Sequence, residues 1–156
     1  MKRLSLLRHA DALPQQAGGN DHDRPLSAFG LRQANQLAAS VAATPNTWDA
    51  CLSSTATRAL TTAQLVCAAL NPPLVIISNS HLYTFNVDQL LQELESLDDT
   101  LNHPLIVGHN PAISELLHYL CTTEHGSVAT ATLVTLELTT DHWLDIHREC
   151  AKILQS

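Results

Sequence analysis

Short apolar runs alternate along the chain with stretches in which apolar residues recur at helical spacing, and turn-forming residues separate them. The apolar runs predict six strands, at residues 4–7, 49–53, 74–77, 104–107, 128–138 and 143–147. Four helices are predicted, one capped by Ser27 and ended at 44–46, and others at 58–70, 87–97 and about 113–120. A polar segment with two glycines and two prolines predicts a loop over residues 10–26.

Strands that alternate with helices indicate a mostly parallel sheet with helices on both faces, and the two closing strands indicate an antiparallel edge. We therefore expect a three-layer α/β/α sandwich. The 156 residues contain no repeat, low-complexity tract or linker, so residues 1–156 are expected to form a single domain.

The composition narrows the possible partners and the compartment. The net charge of −7 argues against a general nucleic-acid binder. No apolar stretch is long enough to span a membrane, and the first residues do not resemble a signal peptide, so a cytoplasmic protein is expected. Four widely spaced cysteines without a C-x-x-C pair are expected to be reduced and buried, namely Cys51, Cys67, Cys121 and Cys150.

Two arginines and two histidines lie at or near the ends of predicted strands. Arg8 and His9 follow the first strand, Arg58 lies in the first turn of the helix after the second, and His109 follows the fourth. Asn110 is a suitable cap for the next helix. Ligands in such folds bind beyond the carboxyl ends of the strands. Each residue alone has an ordinary structural explanation, but their joint placement favours a shared site.

The residue types in this set suit phosphoryl transfer. Arginine forks match phosphate oxygens, and a cation at a helix start is better tolerated when an anion binds there. A neutral histidine can accept a phosphoryl group, and a protonated one can stabilise the charge of the transition state. The set therefore predicts transfer through a phosphohistidine, with no metal and no cofactor.

Four segments resemble the histidine phosphatase (phosphoglycerate mutase-like) superfamily and its small SixA-like branch. LRHADA at 7–12 resembles the R-H-G signature, and DHDRPLS at 21–27 with Gly30 is similar to D-x-x-R-P-L-[ST]. STATRALTTA at 54–63 resembles S-x-x-x-R-A-x-x-T-A, and VGHNP at 107–111 resembles V-G-H-N-P. The resemblance implies a phosphoglycerate mutase-like fold and the activity of a phosphohistidine phosphatase.

The resemblance also implies roles for individual residues. His9 would be the phosphorylated nucleophile, Arg8 and Arg58 would hold the phosphoryl oxygens, and His109 would complete the pocket. Asn110 would be a further substrate-binding residue. We also expect one ring nitrogen of His9 to be held by a backbone carbonyl. Two readings of Arg24 stay open: a bridge to Asp21 or Asp23 that orders the loop over the site, or an ordinary surface pair.

Two departures from the family pattern matter. Ala10 replaces the glycine of R-H-G, which would strain the backbone only at positive φ. The segment 81–86, where ester-cleaving members often place a glutamate, has no carboxylate, and Glu93 and Glu95 are expected to face water. A site without a general acid suits a P–N bond better than an ester, since imidazole leaves readily. Asp11 and Asp23 stay open as acids.

The sequence thus predicts hydrolysis of phosphohistidine on a partner protein, with inhibition by phosphate, vanadate or tungstate. Two alternatives remain: a phosphatase of a small phosphorylated metabolite, and a phosphate-binding pseudoenzyme without turnover. A metal hydrolase built on residues 21–23, or on Glu115 and His118, lacks a clustered ligand set.

Overall fold

The computed structural model describes residues 1–122 and 126–155. Within these residues one sheet has six strands: β1 (Arg3–Arg8), β2 (Ala50–Ser54), β3 (Ile76–Asn79), β4 (Pro104–Gly108), β5 (Leu133–Leu138) and β6 (Ala151–Gln155). The α-helices of the same residues are α1 (Ala28–Ala42), α2 (Thr57–Ala68), α3 (Val87–Glu95) and α4 (Ala112–Leu120).

The strand order is β3-β2-β4-β1-β5-β6. The first four strands in this order run parallel, while β5 pairs antiparallel with β1 and β6 pairs antiparallel with β5. The expected parallel sheet with an antiparallel edge is confirmed. Since parallel strands end at one edge, the segments that follow β1, β2, β3 and β4 lie close together.

Apolar side chains cover both faces of the sheet. Leu4 and Leu6 pack with α3 and α4 in one cluster, and Leu7 packs with α1 and α2 in another. Helix–sheet–helix layering follows, as predicted. Burial on both faces explains why Leu6 and Leu7, which point to opposite faces of β1, are both apolar. The polar Ser5 between Leu4 and Leu6 is also buried, and its hydroxyl contacts His103 and Thr135.

The predicted strand at 143–147 is wrong. Trp143–Asp145 form a turn of 3-10 helix, and Trp143 and Ile146 are buried while Leu144 is exposed. The Trp143 indole donates to the carbonyl of Leu101 at 2.9 Å. Burial at a spacing of three is helical, whereas a strand buries every second residue. The last strand is instead β6.

Two other strands begin later than predicted, at Ile76 and at Leu133. Ala131 has a φ of 53° and ends the run that precedes β5. Its amide lies 3.1 Å from the carbonyl oxygens of both Arg8 and His9. The segment before β5 therefore braces the turn after β1 instead of extending the strand.

All four cysteines are free and buried. In the residues described, none of the helices has the length and apolarity that a membrane span requires.

Candidate active site

The two histidines follow neighbouring strands. Arg8, the last residue of β1, is paired with Gly108, the last residue of β4, so His9 and His109 leave the sheet side by side. Their ring centroids are 5.1 Å apart. Arg58 reaches the same place from the first turn of α2, and its Nε lies 3.3 Å from His9 Nε2. The structure thus brings three of the five predicted residues into one cluster.

One ring nitrogen of His9 contacts the backbone, and the other accepts a long hydrogen bond from Arg58. Its Nδ1 lies 2.7 Å from the carbonyl oxygen of Ala10, which can only accept, so Nδ1 carries the proton and Nε2 has the lone pair. Burial, with a smaller contribution from the charges of Arg58 and Arg8, lowers the pKa of His9 to about 4 against the opposing effect of the Ala10 hydrogen bond. His9 is therefore neutral near pH 7, and the expected carbonyl contact is present.

Ala10 fits the position where the family pattern has glycine. Among the described residues, the non-glycine residues with positive φ are Ala131 and Glu149, so Ala10 carries no such strain. Its side chain is fully buried and packs with Leu26 and Ala34. The substitution adds a small apolar contact beneath the turn that presents His9.

Thr62 ties the turn after β1 to the helix that carries Arg58. Its hydroxyl accepts from the amide of Ala10 at 3.0 Å and donates to the carbonyl of Arg58 at 2.7 Å. This pair of hydrogen bonds fixes the backbone of Arg58 relative to the His9 turn.

Asp21 orients the guanidinium of Arg58, which is 1% exposed. The carboxylate accepts from Arg58 Nη2 at 3.0 Å and from the Tyr83 hydroxyl at 2.5 Å, and the Asp21 carbonyl accepts from Arg58 Nη1 at 2.7 Å. Arg24 Nε donates to the other carboxylate oxygen at 3.0 Å, so Arg24 does bridge to Asp21. These donors, the Tyr83 hydroxyl first, lower the pKa of Asp21 to about 2 although burial opposes them.

His109 is almost fully buried and is held by Ser54. The Ser54 hydroxyl lies 2.8 Å from His109 Nε2, while Nδ1 has no hydrogen-bond partner within the described structure. Burial, together with repulsion from His9 when it is protonated and from Arg58, lowers the pKa of His109 to about 3 against the opposing effect of Asp21. His109 is also neutral near pH 7.

Arg8 and Asn110 share an acceptor beside this cluster. Arg8 Nη1 and Asn110 Nδ2 each lie 2.8 Å from the carbonyl oxygen of Val128. The Asn110 oxygen accepts from the amide and hydroxyl of Ser114 on α4. The predicted cap is nevertheless wrong by one residue, because α4 begins at Ala112 and Pro111 occupies the cap position. Both side chains therefore also position the segment before β5.

Aromatic rings form one wall of the site. Tyr83 and Phe85 lie 5.5 and 5.3 Å from His109 between ring centroids, and His22 packs on Tyr83 at 5.0 Å. The sequence pattern predicted no site role for Ser54, Tyr83 or Phe85. The signal that could have found them is position: Ser54 ends β2, and the two rings come soon after β3, both at the ligand-binding edge.

The carboxylates considered as acids are engaged elsewhere. Asp11 accepts from the Ser27 hydroxyl at 2.5 Å, and Asp23 contacts His22 at 3.1 Å. Glu93 does not simply face water, because it contacts Asn79 and His81. Across residues 1–122 and 126–155, no three His, Cys, Asp or Glu side chains are grouped closely enough to hold a metal ion.

The fold and this geometry define a class of α/β protein whose two histidines, with arginines beside them, meet at the carboxyl edge of a mostly parallel sheet. Residues 4–82 match the family model of the histidine phosphatase superfamily, branch 1. The chain belongs to this superfamily, and the match supports a phosphatase, which is a hydrolase.

Proteins similar in sequence or structure match this chain along nearly its whole length. An uncharacterised protein of Mycobacterium tuberculosis is 30% identical over 95% of this chain and 96% of its own. A candidate phosphohistidine phosphatase SixA from Nakamurella multipartitia has a similar structure, at 25% identity, with a TM-score of 0.79 over 99% of this chain and 94% of its own. A mycobacterial glucosyl-3-phosphoglycerate phosphatase with inorganic phosphate shares the fold at 18% identity, with a TM-score of 0.67 over 98% and 95%.

Proposed function

We propose that this protein hydrolyses the P–N bond of phosphohistidine on a partner protein, through a phosphoryl group carried by His9 and without a metal. The observation that carries the proposal is the neutral His9, whose Nδ1 is bonded to the Ala10 carbonyl and whose Nε2 lone pair faces Arg58. A neutral imidazole with a fixed tautomer is a competent nucleophile toward phosphorus.

In the first step His9 Nε2 attacks phosphorus in line, and the P–N bond to the substrate breaks. Its electron pair goes to the leaving ring nitrogen. Because the other nitrogen of that ring is protonated, the product leaves as a neutral imidazole. In the second step water attacks, the bond to Nε2 breaks, and both hydrogens of the water end on inorganic phosphate. His9 keeps its Nδ1 proton on the Ala10 carbonyl throughout.

Arg58, Arg8 and His109 supply the positive and hydrogen-bonding groups of the pocket. Arg58 is oriented by Asp21 before any substrate binds, so its donors need little rearrangement to meet the phosphoryl oxygens. His109 Nδ1 offers a further contact. Asn110 acts as a substrate-binding residue, and phosphate, vanadate and tungstate are expected to inhibit by occupying the same place.

The proposal of a P–N bond rather than a phosphoester rests on the ionisation and contacts of the carboxylates near the site. Asp21 has a pKa of about 2 and is ionised at neutral pH, while Asp11 and Asp23 contact Ser27 and His22. An alkoxide needs a proton from an acid in order to leave, whereas a protonated phosphoimidazole does not. This supports phosphohistidine over a phosphoester.

The test is phosphate release from a histidine-phosphorylated protein, with a search for acid-labile phosphoryl on His9. His9→Asn is expected to abolish both. His103→Gln is the matched control, because His103 is also buried with a pKa lowered to about 4 but precedes β4, at the opposite end of that strand. It is expected to lose stability and keep activity.

Other outcomes would replace the proposal. Turnover of simple phosphoesters without turnover of phosphoramidate would identify a phosphatase of small metabolites. Binding of phosphate without turnover or enzyme labelling would identify a pseudoenzyme.

A further inference from the structure

An exposed aromatic ring lies at the mouth of the site. Phe85 is 44% exposed, yet its ring lies 5.3 Å from that of His109, which is 1% exposed. Tyr83 packs edge-on against both rings, at 5.5 Å from each. The three rings thus contact one another in a cluster, in which Phe85 is the solvent-exposed member and His109 the buried one.

The backbone around Phe85 is held in place by its neighbours. The buried Thr84 hydroxyl accepts from the amide of Asn86 at 3.2 Å and donates to Gln89 at 2.5 Å. Asn86 caps α3 by accepting from the amide of Gln89 at 3.1 Å. A ring on such a turn loses little conformational freedom when a ligand packs on it, which favours binding.

We propose that Phe85 determines specificity by stacking on the aromatic leaving group of the substrate. The inference deepens the proposed function and rests on it, because it assigns a contact to the imidazole ring that carries the phosphoryl group. A flat ring that leaves the pocket toward solvent meets the exposed Phe85, with which it can stack.

The charge of the leaving ring strengthens this contact. A protonated phosphoimidazole is an aromatic cation, and the face of a phenyl ring attracts cations. An aliphatic phosphoester offers neither a ring nor a positive charge. Phe85 therefore favours phosphohistidine over phosphoserine-like substrates independently of the chemistry at phosphorus.

The experiment compares two substrates with the same P–N bond, a phosphohistidine peptide and phosphoramidate, which has no ring. Phe85→Leu is expected to raise KM for the peptide about fivefold with little change in kcat, a size typical of an aromatic pair. KM for phosphoramidate is expected to stay the same. Phe85→Trp is expected to restore a low KM for the peptide.

Phe29→Leu is the matched control. Phe29 is the other phenylalanine of the chain, is 54% exposed, and packs near the guanidinium of Arg32 on α1. It is expected to leave both KM values unchanged. Thermal unfolding of each variant checks that the fold is retained.

The outcomes separate the inference from the function on which it rests. Equal changes in KM for both substrates, or none in Phe85→Leu, would overturn the stacking role alone. A failure of Phe85→Trp to restore KM would do the same. If the unaltered protein hydrolysed neither substrate, the proposed function would fall and the stacking role with it.

Discussion

Replacing Asp21 by asparagine isolates the contribution of one carboxylate to the whole site. The change keeps the size of the side chain and one carbonyl-type oxygen. It removes the negative charge of the carboxylate, which lies between Arg58 and Arg24 and accepts a hydrogen bond from the Tyr83 hydroxyl. Arg58 is left almost fully buried, with the carbonyl of Asp21 as an acceptor but without its counterion.

The lowered pKa of Asp21 gives the size of the expected loss in folding free energy. Its fall from 3.8 to about 2 corresponds to roughly 2 kcal/mol of folding free energy, at about 1.4 kcal/mol per pH unit. The side chain is 32% exposed and the asparagine oxygen retains one contact, so about 1–2 kcal/mol is expected. For a chain of this size, the melting temperature falls by about 2–8 °C.

The assay is thermal unfolding at pH 7, with urea unfolding to give the free energy. Asp23→Asn is the control. The Asp23 carboxylate is 71% exposed, and its one ion-pair partner among the described residues is His22. It is expected to change stability by less than about 0.5 kcal/mol.

The pH dependence supplies a second check. A carboxyl whose pKa is lowered by folding stabilises the protein above its unfolded pKa, and that stability is lost as the pH falls toward 2. The difference in stability between the parent protein and Asp21→Asn is therefore largest at pH 7 and becomes smaller below about pH 4. Equal melting temperatures for Asp21→Asn and Asp23→Asn, or a gap that stays constant to the lowest pH at which both fold, would refute the reasoning.

Three further results are expected. Ala10→Gly should lower the unfolding free energy by about 1–2 kcal/mol in urea titrations, from lost burial and a freer backbone, and leave phosphatase rates nearly unchanged; a large rate change would contradict this. Gly30→Ala should destabilise severely or yield little folded protein, because a Cβ there would lie 1.9 Å from the carbonyl oxygen of Asp11. The unfolding free energy from urea titrations should fall by several kcal/mol as the pH drops from 6.5 toward 4, because unfolding lets three buried histidines gain protons, namely His9, His103 and His109. An unfolding free energy that does not change with pH would contradict the lowered pKa values of these histidines.

The parallel part of the fold was predictable because its signals are local. The run at the start of the chain is apolar on both faces, and the residues after Ser27 bury a helical stripe, so periodicity alone identifies β1 and α1. The strand order was not predictable, because it depends on pairings between distant residues. The misassigned strand at 143–147 shows the same limit, since Trp143 is placed by a contact with Leu101 and not by its neighbours.

The candidate site was predictable as far as strand ends could be aligned. His9, His109 and Arg58 meet because β1, β2 and β4 end at one edge of the sheet. Position places Ser54 and Tyr83 near the same edge, but it does not reveal that Ser54 contacts His109 or that Tyr83 donates to Asp21. A hydroxyl contact depends on side-chain directions that the sequence pattern does not encode.

The place of β1 between β4 and β5 has a consequence for how the protein emerges from the ribosome. Its hydrogen-bonding neighbours are residues 104–108 and 133–138, so the strand of this sheet that is synthesised first waits for partners that are synthesised about 100 residues later. At about 5–20 residues per second, the nascent chain carries this apolar segment without its partners for several seconds. The turn that presents His9 then becomes ordered late, and a shortened chain that lacks β4 and β5 would offer chaperones an unpaired strand in place of a working pocket.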